Sequence, residues 1–176
     1  MKGLLLIGLA YVLGAIPLAE WIKQKKRYVP HLYLSMIYLA KGMIATGAAW
    51  MIGGLMIAHM AAIAVVIGQM YSFFYSTRGE KGMMVAAGAI FILSPVIILI
   101  GAFIYLFSLL ITRYLFLSTF FSTIAVILIS LVVASHAMLW LVTITIGLMI
   151  LFRQKKHWQR YRRGLEPPYH WRKPFS

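Results

Sequence analysis

The chain contains no cysteine, and only three of its 176 residues are acidic. Without a thiol there is no disulfide, no thiolate metal site, no thiol nucleophile and no C-x-x-C-H attachment of a c-type haem. Charge of either sign is scarce, at 11% of residues against 62% hydrophobic. A soluble domain is about half apolar and about a quarter charged, so this composition belongs to the membrane class. A mean hydropathy of +0.89 agrees. Also missing are an internal repeat, a heptad pattern, a low-complexity tract, and any RRM, zinc-knuckle or helix-turn-helix signature. The net charge of +14 therefore points to anionic lipid headgroups or an acidic partner, and not to nucleic acid.

What the chain does have is a succession of apolar runs. Crossing a hydrocarbon core of about 30 Å takes roughly 20 residues in a helix. The first run, Gly3 to Ile22, is too long for a signal peptide, and its basic cluster (Lys23, Lys25, Lys26, Arg27) follows it, so it reads as an uncleaved span. Spans 2 and 3 are expected over 31–53 and 55–75, turning at Gly53-Gly54. Ser94-Pro95 divides the next apolar stretch into spans over 83–94 and 95–111, because proline removes a helix hydrogen bond and clashes with the preceding turn. Thr112-Arg113 closes the fifth span, and 114–152 holds two more with a turn at Ala134-Ser135-His136. The expectation is an all-α polytopic membrane protein of about seven transmembrane helices over residues 1–152, followed by a basic, aromatic tail over 153–176. With an odd number of spans, all of the 17 basic residues except Lys2 fall on one side or at its helix ends, with Lys41 in a protein-lined interior. The positive-inside rule makes that side cytoplasmic, with the chain in a bacterial inner membrane.

The most informative short segment is Arg78-Gly79-Glu80-Lys81-Gly82. Two glycines allow close backbone approach to a ligand, a following helix N-terminus adds positive potential, and two bases add full charges, which together make an anion cradle. A tight turn carrying positive-inside residues explains the same composition. In its wider context, Gly68-Gln-Met-Tyr-Ser-Phe-Phe-Tyr-Ser-Thr-Arg-Gly-Glu-Lys-Gly82, followed by Ala86-Ala-Gly88, resembles the PlsY family of acyl-phosphate:glycerol-3-phosphate acyltransferases, which reads G-H-x-F-P-x-F-x-x-F-K-G-G-K-G. Tyr11 to Pro17, Lys41-Gly42, Thr112-Arg113-Tyr114 and Arg160 to Glu166 resemble further family motifs in the family's order. The resemblance implies a PlsY-like bundle. It also implies a reaction without a protein nucleophile, in which basic side chains and backbone donors hold phosphates and a developing oxyanion. The phosphate-binding candidates it implies are Arg78, Gly79, Lys81, Gly82, Arg113 and Lys41, with Arg160, Gly164 and Glu166 also retained.

The sequence departs from the family pattern at several polar positions. A glycine-rich loop between the first two spans is missing, where Lys25 to His31 connects them. Gln69 replaces a histidine, Ser72 a proline, Glu80 a glycine and Phe116 a serine, and Gln154 and His157 stand where the family has His and Asn. Each lost donor can cost on the order of 10²–10³ in rate. The expectation from these losses is a non-catalytic pseudoenzyme, acting as an accessory subunit of a larger membrane complex of respiratory or photosynthetic type, with lipid or pigment contacts. The alternative is a divergent glycerol-3-phosphate acyltransferase making lysophosphatidic acid.

Some residues remain outside both readings. His59 and His136 have the character of intramembrane pigment or haem ligands, or of plain interhelical hydrogen-bonding groups; otherwise no cofactor is expected. Glu20 pairs most simply with the lysines one turn later. The tail interleaves bases with Trp and Tyr, the composition of a segment lying on a lipid surface or docking another membrane subunit.

Overall fold

A computed structural model describes residues 2–16, 22, 31–71, 81–133 and 136–163. All regular structure among them is helical. Helix α1 is Lys2–Ala15. A helix over His31–Met70 is broken at Gly54 (φ 80°, ψ 177°), giving α2 over 31–53 and α3 over 55–70. Then follow α4, Lys81–Leu93, α5, Pro95–Thr112, α6, Leu115–Val133, and α7, Ala137–Arg162.

The breaks fall where local chemistry requires them. Gly54 carries the one positive-φ glycine among the described residues, a conformation that a side chain would disfavour. Pro95 occupies the first turn of α5, where its missing N–H costs nothing, and Ser94 is the extended residue before it. Helix α1 stops at Ala15 instead of running to Ile22, because Ile16 precedes Pro17 and is pushed out of the helical region. Residues 17–21 lie outside the described residues, as do the 23–30 connection, the 134–135 turn and the chain beyond 163. Helix α3 ends at Met70, short of the expected Tyr75. Helix α7 passes without interruption through 152 and 153 to Arg162.

Among the described residues four stretches are long and apolar enough to cross a membrane, Leu32–Met70, Pro95–Thr112, Leu115–Val133 and Ala137–Arg162, and α1 and the Gly82–Leu93 helix are shorter apolar helices. Large apolar side chains point outward, among them Leu4, Met51, Phe103, Val132 and Phe152. The interior combines small residues such as Ala58, Ala61, Ala62 and Ala89 with β-branched ones such as Val65, Val85, Ile97 and Ile146. This inversion of the soluble pattern is what lipid permits. With tails as apolar as leucine outside, helices associate through close packing and not by hiding apolar surface.

Two helix crossings are closed to backbone contact by glycine. A Cβ on Gly14 would lie 2.3 Å from Val65 O, and one on Gly68 would lie 2.2 Å from Tyr11 O, so α1 and α3 touch main chain to main chain. Likewise a Cβ on Gly42 would lie 2.1 Å from Val85 O, and one on Gly88 2.0 Å from Leu39 O, which joins α2 to α4. Helices α5 and α6 form a hairpin stitched by Ser122 Oγ donating to Gly101 O (2.8 Å), and Thr143 Oγ1 donates to Ser130 Oγ (2.8 Å) to join α7 to α6.

Candidate functional site

Polar side chains gather at the end of the bundle where α1, α3 and α5 finish and α4 and α6 begin. Lys41, the cation in the middle of α2, is 3% exposed. Its Nζ donates to Gly14 O (2.7 Å), Ile16 O (2.8 Å) and Gln69 Oε1 (2.7 Å). An ammonium has three protons, and all three are engaged. Two of the acceptors are carbonyls at the C-terminus of α1, where the helix dipole favours a cation.

Arg153 plays the matching part on α3. Its guanidinium Nη1 donates to Met70 O, the last carbonyl of α3, and its Cζ lies 6.0 Å from the centroid of the Tyr71 ring. Gly82, in the first turn of α4, lies against the same Met70, whose Cε would come within 2.6 Å of an added Cβ. Lys41, Gln69, Met70, Arg153 and the start of α4 are thereby drawn into one region.

Arg113 lies at the same end of the bundle, in the α5–α6 turn. It is exposed and adopts a left-handed conformation (φ 57°, ψ 16°), with its N–H donating to Leu109 O (3.0 Å). That conformation costs a non-glycine residue about 1 kcal/mol. Arg113→Gly should therefore raise the thermal midpoint by about 2–4 °C while removing a charge that the family pattern retains. The check is to measure melting and turnover together, and a lower midpoint would contradict the conformational argument. An aromatic cluster ties this turn to α7: Tyr114 to Tyr161 (5.1 Å between centroids), Phe116 to Tyr161 (5.2 Å) and to His157 (6.5 Å, stacked), and Phe120 to Trp158 (6.0 Å). The aromatic character of the 153–162 segment thus packs α7 onto α6.

The structure brings Lys41, Gly82 and Arg113 to one end of the bundle. Arg78 and Gly79 lie outside the described residues, and Lys81 is described only as the first residue of α4. Gly164 and Glu166 also lie outside them, and Arg160 is exposed on α7. His59 is buried, with Nδ1–H donating to Leu55 O (2.6 Å) in its own helix, whereas His136 is the exposed residue before α7. Sequence reasoning passed over Arg153. Its only signal was its place as the first polar residue after the last apolar run.

The profile of the glycerol-3-phosphate acyltransferase family matches residues 29–164 of this chain. The chain belongs to that family. A glycerol-3-phosphate acyltransferase of Aquifex aeolicus is 27% identical, over 94% of this chain and 98% of that protein. The Staphylococcus carnosus protein of the same name is also 27% identical, over 64% of this chain and 55% of that one. Crystal structures of PlsY, an integral membrane glycerol 3-phosphate acyltransferase, superpose on this chain with TM-scores of 0.86 for the glycerol 3-phosphate form and 0.88 for the lysophosphatidic acid form. Identities there are 25% and 26%, over 97% of this chain and 96% of the PlsY chain. The all-helical integral membrane fold expected from the sequence is the fold of this family.

These findings correct the expectation of a non-catalytic accessory subunit. Each of these relatives is named as a glycerol-3-phosphate acyltransferase, which agrees with the alternative reading of the sequence and not with an accessory subunit. The inference of a stripped site counted each departure from the pattern as a lost interaction, and at Gln69 the geometry shows otherwise. A neutral imidazole nitrogen and an amide oxygen are both acceptors, and Gln69 Oε1 accepts from Lys41. Other departures do alter the site: Phe116 joins the aromatic cluster, and Gln154 Oε1 is buried with no hydrogen-bond partner among the described residues.

Proposed function

We propose that this chain is a glycerol-3-phosphate acyltransferase that uses acyl phosphate as donor. The observation that carries the proposal is the match of 97% of the chain to PlsY in both its glycerol 3-phosphate and its lysophosphatidic acid forms. The 1-hydroxyl of glycerol 3-phosphate attacks the acyl carbonyl carbon, the carbon–oxygen bond to phosphate breaks, and the hydroxyl proton leaves with inorganic phosphate. No cysteine is available for an acyl-thioester intermediate, so direct transfer between the two substrates is the simplest route. Arg78, Gly79, Lys81, Gly82 and Arg113 are the proposed phosphate and oxyanion partners, acting as preorganised donors in a water-poor site. We place the Lys41 end of the bundle at the cytoplasmic face of a bacterial inner membrane, because the basic residues crowd that end. Membrane lipid is then both the surroundings and the destination of the product.

Mass spectrometry of the lipid formed from purified protein, glycerol 3-phosphate and a long-chain acyl phosphate tests the proposal. Lysophosphatidic acid is the expected product, and its absence from a folded preparation would overturn the reading.

A further inference from the structure

We infer that Lys41 and Arg153 act as positioning residues that mask helix carbonyl ends, and so make this end of the bundle attractive to a phosphate dianion, Lys41 without touching it. The inference rests on the glycerol 3-phosphate reading. Three helix termini meet here: the C-termini of α1 and α3 and the N-terminus of α4. Tyr11 Oη, in α1, donates to Tyr71 O (3.5 Å) just past α3, and Gly82 of α4 packs on Met70. Each C-terminus carries roughly half a negative charge and the N-terminus roughly half a positive one. Left bare, the three ends therefore present a small net negative potential to an incoming anion.

Lys41 and Arg153 reverse that sign. Lys41 sits on Gly14 O and Ile16 O at the end of α1, and Arg153 sits on Met70 O at the end of α3. With two full positive charges added, the same ends present a net positive potential of about one and a half charges. The remaining Lys41 proton goes to Gln69 Oε1, so its ammonium has none left for a substrate oxygen. Its contribution to anion binding is long-range. Burial lengthens that range, because solvent screens a buried charge much less than an exposed one.

A side chain that acts in this way changes affinity for the charged substrate more than the chemical step. In Arg153→Gln, the KM for glycerol 3-phosphate should rise at least tenfold with kcat within threefold of wild type. Arg153→Lys, which keeps the charge and a donor, should recover most of the affinity. Lys41→Met should behave as Arg153→Gln does. Because a buried lysine can also be required for folding, Arg153→Gln is the decisive variant. The experiment combines initial rates with direct binding of glycerol 3-phosphate alone, measured by calorimetry on the detergent-purified full chain. Weakened binding in Arg153→Gln, restored in Arg153→Lys, supports the inference. Unchanged affinity in Arg153→Gln, or affinity lost equally in Arg153→Lys, overturns it while leaving the acyltransferase reading in place. A wild-type protein that neither binds glycerol 3-phosphate nor transfers acyl groups overturns both.

Discussion

Gly88→Ala should lower the thermal midpoint of the purified protein by about 5 °C, and Gly8→Ala should not lower it at all. The two substitutions add the same methyl group to a helix, and alanine is the better helix former by about 1 kcal/mol. They differ in what the methyl meets. At Gly88 the new carbon would lie 2.0 Å from Leu39 O, well inside the 3.0 Å that real Cβ atoms respect, whereas at Gly8 nothing lies within 4 Å. The obstacle is backbone, so no side chain can rotate away. The α2–α4 crossing has to open, and forced overpacking of this kind costs about 1–3 kcal/mol. For a chain of this length each kcal/mol moves the midpoint by about 2–4 °C. Opening the crossing also loses contact along both helices, and in lipid there is little hydrophobic drive to restore it. Thermal unfolding followed by size-exclusion fluorescence in detergent provides the measurement. Equal midpoints for the two variants would mean that the crossing is looser than described.

Lys81→Ala should cut acyl transfer by about 10²–10³ with little change in melting. Lys81 opens α4 directly after Arg78-Gly79-Glu80, in the segment that resembles the family's G-G-K-G with Glu80 in place of the second glycine. A full charge at a helix N-terminus adds to the dipole there, and both favour an anion. In an electrostatic mechanism without a protein nucleophile, a preorganised donor is worth about that factor. Rates at saturating substrate, set beside the melting curve, separate the effect from misfolding. A variant that keeps a third or more of wild-type turnover would remove Lys81 from the site.

Much of the fold is legible in composition and in a few punctuating residues. Gly54, Pro95, Thr112-Arg113 and His136 mark helix boundaries because each changes what the backbone can do locally. The end of α1 at Ala15 was legible too, in Pro17, but the apolar run past it carried the expectation on to Ile22. The glycines at 14, 42, 68 and 88 are visible as small residues in apolar helices, yet only coordinates pair 14 with 65 and 88 with 39. The site is less legible for the same reason. Lys41, Gln69 and Arg153 are far apart in sequence, and their roles lie in carbonyls and an amide that no motif records. Counting Gln69 as a lost histidine missed that Lys41 asks only for an acceptor there. The expectation of a pseudoenzyme followed from adding Gln69 to the absent glycine-rich loop and the changes at Ser72, Glu80, Phe116, Gln154 and His157.

The stoichiometry of acyl transfer by the wild-type protein tests the central claim most directly. Purified protein given acyl phosphate and glycerol 3-phosphate should release inorganic phosphate and form lysophosphatidic acid one for one, with no release above background when glycerol 3-phosphate is left out. Phosphate release without lysophosphatidic acid, or no reaction from folded protein, would contradict it.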